Sequence, residues 1–69
     1  MPLYMAEYGQ DLIIGRITGS DKIKTHLSNM GFVVGETVRI VNKVDENVIV
    51  KVKGISIAIS HELAKRIFV

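Results

Sequence analysis

Two histidines are the side chains of this 69-residue sequence best suited to metal chemistry, and neither has partners at ligand spacing. His26 stands in a segment predicted to be helical, and His61 is followed by Glu62. Transition-metal sites need several imidazole or carboxylate ligands within about 2.0–2.2 Å of the ion, and no H-x-x-x-H or two-histidine, one-carboxylate spacing occurs. The sequence therefore predicts no tight metal site, and leaves His61 with Glu62 as a weak divalent site at most.

Side chains arranged for catalysis are also missing. Ser20 and Ser60 stand where they cap helices, and no G-x-S-x-G turn, P-loop or G-x-G-x-x-G motif occurs. The carboxylates of Asp45 and Glu46 adjoin each other in a turn, where solvent screening makes them poor general acids. Because the chain has no cysteine, thiolate nucleophiles, disulfides and thiolate zinc sites are excluded. We predict that the protein is not an enzyme.

A basic and apolar surface is the main binding feature that the residue pattern predicts. Strand alternation places Val41 and Ile49 on the outer side of a sheet. Four basic side chains surround them: Arg39, Lys43, Lys51 and Lys53. An apolar centre with a polar rim is typical of contact surfaces, which favours a protein partner. The alternative is that both faces of these strands are partly buried in a small barrel, in which case Val41 and Ile49 belong to the packing.

Charge and aromatic content argue against a nucleic-acid partner. Nine Lys and Arg against seven Asp and Glu give a net charge of +2, without a dense basic stripe. Small barrels that bind nucleic acids stack bases on aromatic side chains set among basic residues. Of the four aromatic residues, Phe32 and Phe68 are expected in the core, and only Tyr4 and Tyr8 remain. A nucleic-acid-binding or regulatory interaction domain is therefore the alternative to a protein-binding module.

The first half of the chain predicts one strand and one helix. The β-branched run 10–18 lies between glycines and is predicted to be a strand with a bulge at Gly15. Ser20 caps the helix that follows, and Gly31 supplies the left-handed residue that ends it. The helix buries one apolar stripe. The stripe consists of Ile23, Leu27 and Met30.

The second half predicts three antiparallel strands, one helical turn and a last short strand. The strands occupy 37–43, 48–53 and 55–60, with turns at 45–47 and at Lys53 and Gly54. A turn of helix follows Ser60 over 61–64, and 66–69 is the closing strand.

These elements predict one domain, 1–69, that is mainly β with a small α+β composition. We expect an SH3-like five-stranded barrel with one α-helix after the first strand and a short helical turn before the last strand. The predicted core consists of Ile14, Ile17, Leu27, Phe32, Val38, Ile40, Val50, Ile57 and Ile67. The start of the chain lacks a signal peptide's basic residues, and no apolar run approaches the ~18 residues of a membrane span. We therefore expect a cytoplasmic protein that does not insert into the membrane.

The order of glycines and aliphatic residues resembles the FeoA family over nearly the whole chain. The family's L-x-x-[LM]-G-[FLM]-x-P-G-x-x-V motif is matched by Leu27, Met30, Gly31, Phe32, Gly35 and Val38. The later G-x-x-x-A-[LI] motif is matched by Gly54, Ala58 and Ile59, and the A-x-x-I-x-V motif by Ala64, Ile67 and Val69. Val34 replaces the usual proline before Gly35, which loosens that turn without preventing it. The residues that carry the structural motif are Gly31, Phe32, Gly35 and Gly54.

The resemblance implies an accessory protein of ferrous iron transport that binds a FeoB-type membrane transporter with a cytosolic GTPase domain. It implies no required cofactor, and ferrous iron as the weak divalent ion near His61 and Glu62. Similar domains end iron-dependent repressors, and because nothing precedes the domain here, a free-standing transport accessory is expected. The surface that docks, the effect on the partner's GTP hydrolysis, assembly or gating, and the oligomeric state are left open.

Overall fold

The computed structural model describes residues 1–69 and contains six short strands and two α-helices. A 3-10 turn, Leu3–Met5, precedes them. The elements are β1 (Leu12–Ile13), β2 (Arg16–Ile17), α1 (Asp21–Asn29), β3 (Thr37–Val44), β4 (Asn47–Val52), β5 (Ile55–Ser60), α2 (His61–Ala64) and β6 (Ile67–Phe68). The strands form a four-stranded sheet in the order β1-β3-β4-β5 and a two-stranded sheet of β2 and β6, with antiparallel pairing throughout. The protein is a small, mainly β α+β domain.

The prediction of a closed five-stranded barrel is wrong in strand number and in closure, because there are six strands and the two sheets do not join into a closed ring. The run predicted as one strand over 10–18 is divided: β1 pairs with β3 in the large sheet and β2 pairs with β6 in the small sheet. The chain crosses between the sheets at Ile14 and Gly15. The Gly15 N–H donates to the Phe68 carbonyl at 2.8 Å and the Ile14 N–H to the Glu36 carbonyl at 3.0 Å. Helix α1 therefore follows two short strands rather than one.

Helix α1 begins and ends as the sequence predicts. The Ser20 hydroxyl accepts a hydrogen bond from the Ile23 N–H in the first turn, at 3.3 Å. At the other end Gly31 has φ of 99°, the left-handed conformation that costs a glycine least. The Gly31 N–H donates to the Ser28 carbonyl and the Phe32 N–H to the Leu27 carbonyl, both at 2.9 Å, which is the Schellman pattern. This turn directs Phe32 into the core, where it is fully buried.

Helix α2 is a single turn between β5 and β6. The Ser60 hydroxyl caps it by accepting the Leu63 N–H at 3.2 Å. The turn lies against the N-terminal 3-10 segment, which contributes Tyr4 to that contact. Neither α1 nor α2 has both the length and the apolar composition needed to cross a bilayer.

A β-bulge in β3 exchanges the sides of the sheet on which the last residues of the strand place their side chains. Arg39 lies opposite Lys51, but beyond the bulge the register shifts and Lys43 lies opposite Val48. Val41 is the extra residue at this irregularity. Because Val48 is buried, Lys43 lies on the core side of the sheet and not on the side of Arg39 and Lys51. The expectation that Lys43 shares a face with the other basic residues is therefore wrong.

Both hairpins of the large sheet have two-residue turns. Asp45 and Glu46 connect β3 to β4, and Asp45 has φ of 54°. The turn predicted over 45–47 is one residue too long, since Asn47 already pairs in β4. Lys53 and Gly54 connect β4 to β5 as predicted, with φ of 52° and 79°. Two consecutive positive φ values are typical of the I′ turns that suit the twist of β-hairpins.

The core is one cluster of 13 buried residues. Seven of the nine predicted core residues belong to it: Ile14, Leu27, Phe32, Val38, Ile40, Val50 and Ile67. The other two, Ile17 and Ile57, are partly buried and pack against the cluster. The remaining members are Leu3, Ala6, Val48, Val52, Ile59 and Ala64. The N-terminal segment, which contributes Leu3 and Ala6, is therefore a structural part of the domain.

Candidate functional site

The exposed side of the large sheet carries most of the predicted binding residues. We define the outer sheet face by Arg39, Val41, Ile49, Lys51 and Lys53. Arg39 and Lys51 are direct cross-strand neighbours, and Ile49 lies opposite the bulged segment that contains Val41. The structure therefore brings five of the six residues together, and excludes Lys43.

Two carboxylates compensate part of the positive charge on this face. Arg39 binds the Asp11 Oδ1 atom through both its Nε and one terminal nitrogen, each at 2.8 Å. The Lys53 Nζ atom lies 3.7 Å from a carboxylate oxygen of Glu36. Lys51 is exposed and has no ion pair. Lys51 is therefore the cation of the outer sheet face that remains available to a partner.

The ion pairs border a shallow groove of about 300 Å³ at the β1 end of the outer sheet face. Its lining includes two acidic and three basic residues: Asp11, Glu36, Arg39, Lys51 and Lys53. Sequence reasoning missed Asp11 and Glu36. Only the pairing of β1 with β3 places these carboxylates beside the basic residues, and no local pattern predicts that pairing.

The apolar centre of the outer sheet face is small but open to solvent. The bulge leaves Val41 41% exposed, whereas Ile49 is half-buried. Val41 is thus accessible to a partner, and Ile49 adds partly covered apolar surface beside it. The outer sheet face therefore combines a limited apolar patch with one uncompensated cation, Lys51, where the sequence predicts four basic residues around the patch.

Lys43 has a different environment near the N-terminal segment. Its Nζ donates to the Tyr4 carbonyl at 2.8 Å and lies 5.6 Å from the centre of the Tyr8 ring. It lines an open groove of about 960 Å³ together with His61 and Glu62. The lysine therefore connects β3 to the N-terminal 3-10 turn by a hydrogen bond.

The two residues predicted as a weak metal site do not converge with a third ligand. The His61 ring packs edge-on against the Tyr4 ring, with 4.5 Å between centroids. The Glu62 carboxylate lies 3.5 Å from the Lys65 Nζ atom. His26 is exposed on α1. No three His, Asp or Glu side chains are placed to hold a metal ion, so the residues present do not fit a resident metal centre.

We predict that divalent iron binds this chain weakly. Anaerobic calorimetric titration with Fe²⁺, or with Mn²⁺ as a surrogate, should show no site tighter than about 10 μM, equivalent to about −7 kcal/mol. The physical reason is that two neighbouring donors, each engaged with another side chain, supply too few ligands. A stoichiometric submicromolar site that disappears in His61→Ala but persists in His26→Ala would contradict this prediction.

The four motif residues shape the fold around the outer sheet face. Gly31 and Phe32 end α1, and Gly54 is part of the β4–β5 turn. The Gly35 N–H donates to the Ile14 carbonyl at 2.8 Å, which ties the loop before β3 to the crossing point between the sheets. These residues position β3, β4 and β5, whose outward side is the outer sheet face.

The family of the chain follows from a match along its full length. The sequence profile of the FeoA domain matches residues 1–69. The chain belongs to the FeoA family. The resemblance predicted from the glycine and aliphatic motifs is confirmed, and with it the association of the family with ferrous iron transport. No curated protein matches the chain significantly in sequence.

Solved structures of FeoA proteins share the fold. An iron uptake regulatory protein (FeoA) is 28% identical, with a TM-score of 0.89 over 97% of this chain and 91% of the other. FeoA of Stenotrophomonas maltophilia, solved with zinc and described as an SH3 domain protein, is also 28% identical, with a TM-score of 0.84 over 99% of this chain and 87% of the other. These neighbours confirm the SH3-like character of the small β fold.

A repressor contains a domain of the same shape. A manganese-dependent transcriptional repressor is 13% identical, with a TM-score of 0.87 over 97% of this chain. The chain spans only 39% of that protein, so the likeness concerns one of its parts. At this identity the comparison shows the fold alone.

Proposed function

We propose that this chain is a cytosolic, non-catalytic accessory of ferrous iron transport that binds a FeoB-type transporter at its GTPase-containing region. The carrying observation is that a chain matched by the FeoA domain over residues 1–69 exposes an apolar patch, Val41 with Ile49, beside the unpaired Lys51. Catalytic groups and nucleotide-binding motifs are lacking in the sequence. Binding to a partner is therefore the activity that the geometry supports best.

The charge distribution favours a partner surface with an acidic group placed opposite Lys51. Arg39 and Lys53 already have carboxylate neighbours within the chain, so these two residues add little uncompensated positive charge to an interface. Exposed rim charges mostly tune the rate and specificity of association, while apolar contacts at the centre exclude water. Lys51 would thus orient the complex, and Val41 would supply the apolar contact from which water is excluded.

Any effect on the partner's GTP hydrolysis would act through conformation. A bound protein shifts a conformational equilibrium only by binding one state more tightly than the other. An arginine supplied to the GTPase in trans is less well supported, because two of the three arginines have partners within the chain. Arg39 is held by Asp11, and the Arg16 guanidinium lies 4.6 Å from the centre of the Phe68 ring.

Reversing the charge of Lys51 tests the docking surface. Lys51→Glu should weaken the complex with the purified cytosolic region of a FeoB-type transporter by about tenfold, whereas thermal stability should change little because the side chain is exposed. Lys24→Glu, on the exposed side of α1, makes the same change in net charge and should leave binding unaffected. Biolayer interferometry at two salt concentrations measures both. Equal weakening by the two variants, or by neither, would contradict the proposed surface.

Nucleic-acid binding is the second candidate, since a repressor contains a domain of this fold. It predicts measurable affinity for DNA or RNA near 150 mM salt that falls steeply as salt rises, because each neutralised phosphate releases counterions. With a net charge of +2 and no aromatic stacking platform on the outer sheet face, we expect no such affinity. Salt-sensitive submicromolar binding to an oligonucleotide, with no transporter complex, would reverse the choice.

A further inference from the structure

Strand β5 (Ile55–Ser60) leaves one edge of the large sheet open. It stands at the end of the strand order, with β4 as its only strand neighbour. The backbone of residues 55–59 makes no hydrogen bond beyond the β4 ladder. A free edge of this kind presents N–H and C=O groups that are ready to pair with another strand.

The register of the β4–β5 hairpin determines which backbone groups face the open edge. Val52 lies opposite Ile55 across the two-residue turn, and in such a hairpin these two residues exchange both hydrogen bonds. The alternation continues beyond the strand, where the His61 N–H donates to the Glu46 carbonyl at 2.8 Å. Every second residue counted from Ile55 therefore bonds to β4, and the residues between them direct their backbone groups outward.

Ser56 and Ala58 are the residues whose N–H and C=O groups face the open edge, and both are exposed. The usual devices that prevent edge pairing are absent from β5: it contains no charged residue, no proline, no glycine and no bulge. Its sequence alternates strictly, with isoleucine at 55, 57 and 59 and a small residue between each. The strand is thus a regular and unprotected edge.

We propose that β5 pairs antiparallel with β5 of a second copy of this chain, around a two-fold axis at Ile57. In that register Ser56 meets Ala58 of the second copy, so the outward backbone groups of both residues are satisfied. Ile57 meets its own counterpart in a pair without hydrogen bonds, and Ile55 meets Ile59. The two large sheets then form one continuous sheet with isoleucines facing isoleucines along one side.

A second copy fits the edge better than an unrelated strand because β5 is self-complementary. The sequence around Ile57 has the same pattern in both directions, with isoleucine two residues away on each side and a small residue between. Ile55 is 61% exposed in the single chain and would gain an apolar neighbour. Each copy carries a net charge of +2, but no charge lies within the seam, so repulsion there is weak.

Single cysteine variants test the register cleanly, because the chain contains no cysteine. Antiparallel pairs without hydrogen bonds have Cα atoms about 4.5 Å apart, within the range of about 4.4–6.8 Å that disulfides bridge. Ile57→Cys should therefore form a covalent dimer under mild oxidation. Ile55→Cys is the matched control: four residues of offset place its two copies about 14 Å apart, and a disulfide cannot span that distance.

The control is strict because Ile55 is more exposed than the half-buried Ile57. Cross-linking by random collision would favour Ile55→Cys. The proposal requires Ile57→Cys to cross-link at least about tenfold faster, since only its sulfurs meet within bonding range. Faster or equal cross-linking of Ile55→Cys, or no cross-linking of Ile57→Cys in a folded sample, would overturn it. Dominant cross-linking of Ala58→Cys would overturn the register centred on Ile57.

Sedimentation without any cysteine provides an independent measurement. The wild-type chain should change from monomer to dimer as its concentration rises, and Ala58→Pro should remain monomeric while circular dichroism stays native. Proline removes the outward N–H of Ala58, which β4 does not use, so the intramolecular ladder is kept. A wild-type chain that stays monomeric into the millimolar range overturns the proposal. If Ala58→Pro instead abolishes transporter binding by such a monomer, the edge belongs to the transporter.

Discussion

Leu27→Ala should lower the free energy of unfolding by about 2–5 kcal/mol, because it removes a fully buried side chain and leaves a cavity. Alanine is the better helix former, so a loss of stability must come from packing and not from helix propensity. A domain of this size is stable by only about 3–10 kcal/mol, and the variant would lose a large part of that. Urea unfolding should show a lower midpoint with an unchanged slope.

Ile23→Ala is the matched control for Leu27→Ala on the same helix. Ile23 is only partly buried at the first turn of α1 and packs against the edge of the core. Its truncation should cost less than half as much, since the removed methyl groups already touch solvent. A cooperative transition that Leu27→Ala leaves unchanged would show that α1 is not anchored in the core.

Local rules explain why helix α1 and the β4–β5 turn were predictable. The Ser20 cap, the apolar stripe of α1 and the left-handed Gly31 each act within a few residues of sequence, and the structure contains all three. The same is true of the Lys53-Gly54 turn. In each case the determining interaction lies within one turn of the chain, so no tertiary information was needed.

The errors have two sources, distant strand pairing and a β-bulge. The division of 10–18 into β1 and β2 depends on two separate partner strands, β3 and β6, which are distant in sequence. The bulge at Val41 is a different case, because the apolar and polar alternation breaks there: two apolar residues, 40 and 41, precede two polar residues, 42 and 43. The prediction carried a regular alternation through this break. One such residue moves Lys43 from the predicted basic rim to the N-terminal segment.

Most residues of the candidate site were predictable from the sequence, but the compensation of their charges by carboxylates was not. Alternation placed Arg39 and Lys51 on one face, as the register confirms. It gave no sign that Asp11 and Glu36 would compensate Arg39 and Lys53, since those carboxylates arrive from other segments. Lys51 is consequently the one cation of the outer sheet face without an ion pair. Reversing this single charge therefore tests docking directly.

Leu3→Ala should destabilise the domain as strongly as a core substitution in α1, by about 2–5 kcal/mol. Leu3 is fully buried although it precedes the first element that the sequence predicts, the strand over 10–18. Two hydrogen bonds join the start of the N-terminal segment to the last residue: the Met1 amino group donates to the Val69 carbonyl at 3.0 Å, and the Val69 N–H donates to the Met1 carbonyl at 2.9 Å. The segment therefore covers the core and joins the two chain ends.

Met5→Ala distinguishes this role of Leu3 from a general sensitivity of the N-terminal segment. Met5 lies in the same 3-10 turn but is 62% exposed, so its truncation should change stability by no more than about 0.5 kcal/mol. Hydrogen exchange adds a local readout: in Leu3→Ala the Val69 N–H should exchange faster relative to the N–H groups of β4, because its acceptor, the Met1 carbonyl, lies on the loosened segment. Equal stability of Leu3→Ala and Met5→Ala would mean that the N-terminal segment rests on the domain without supporting it.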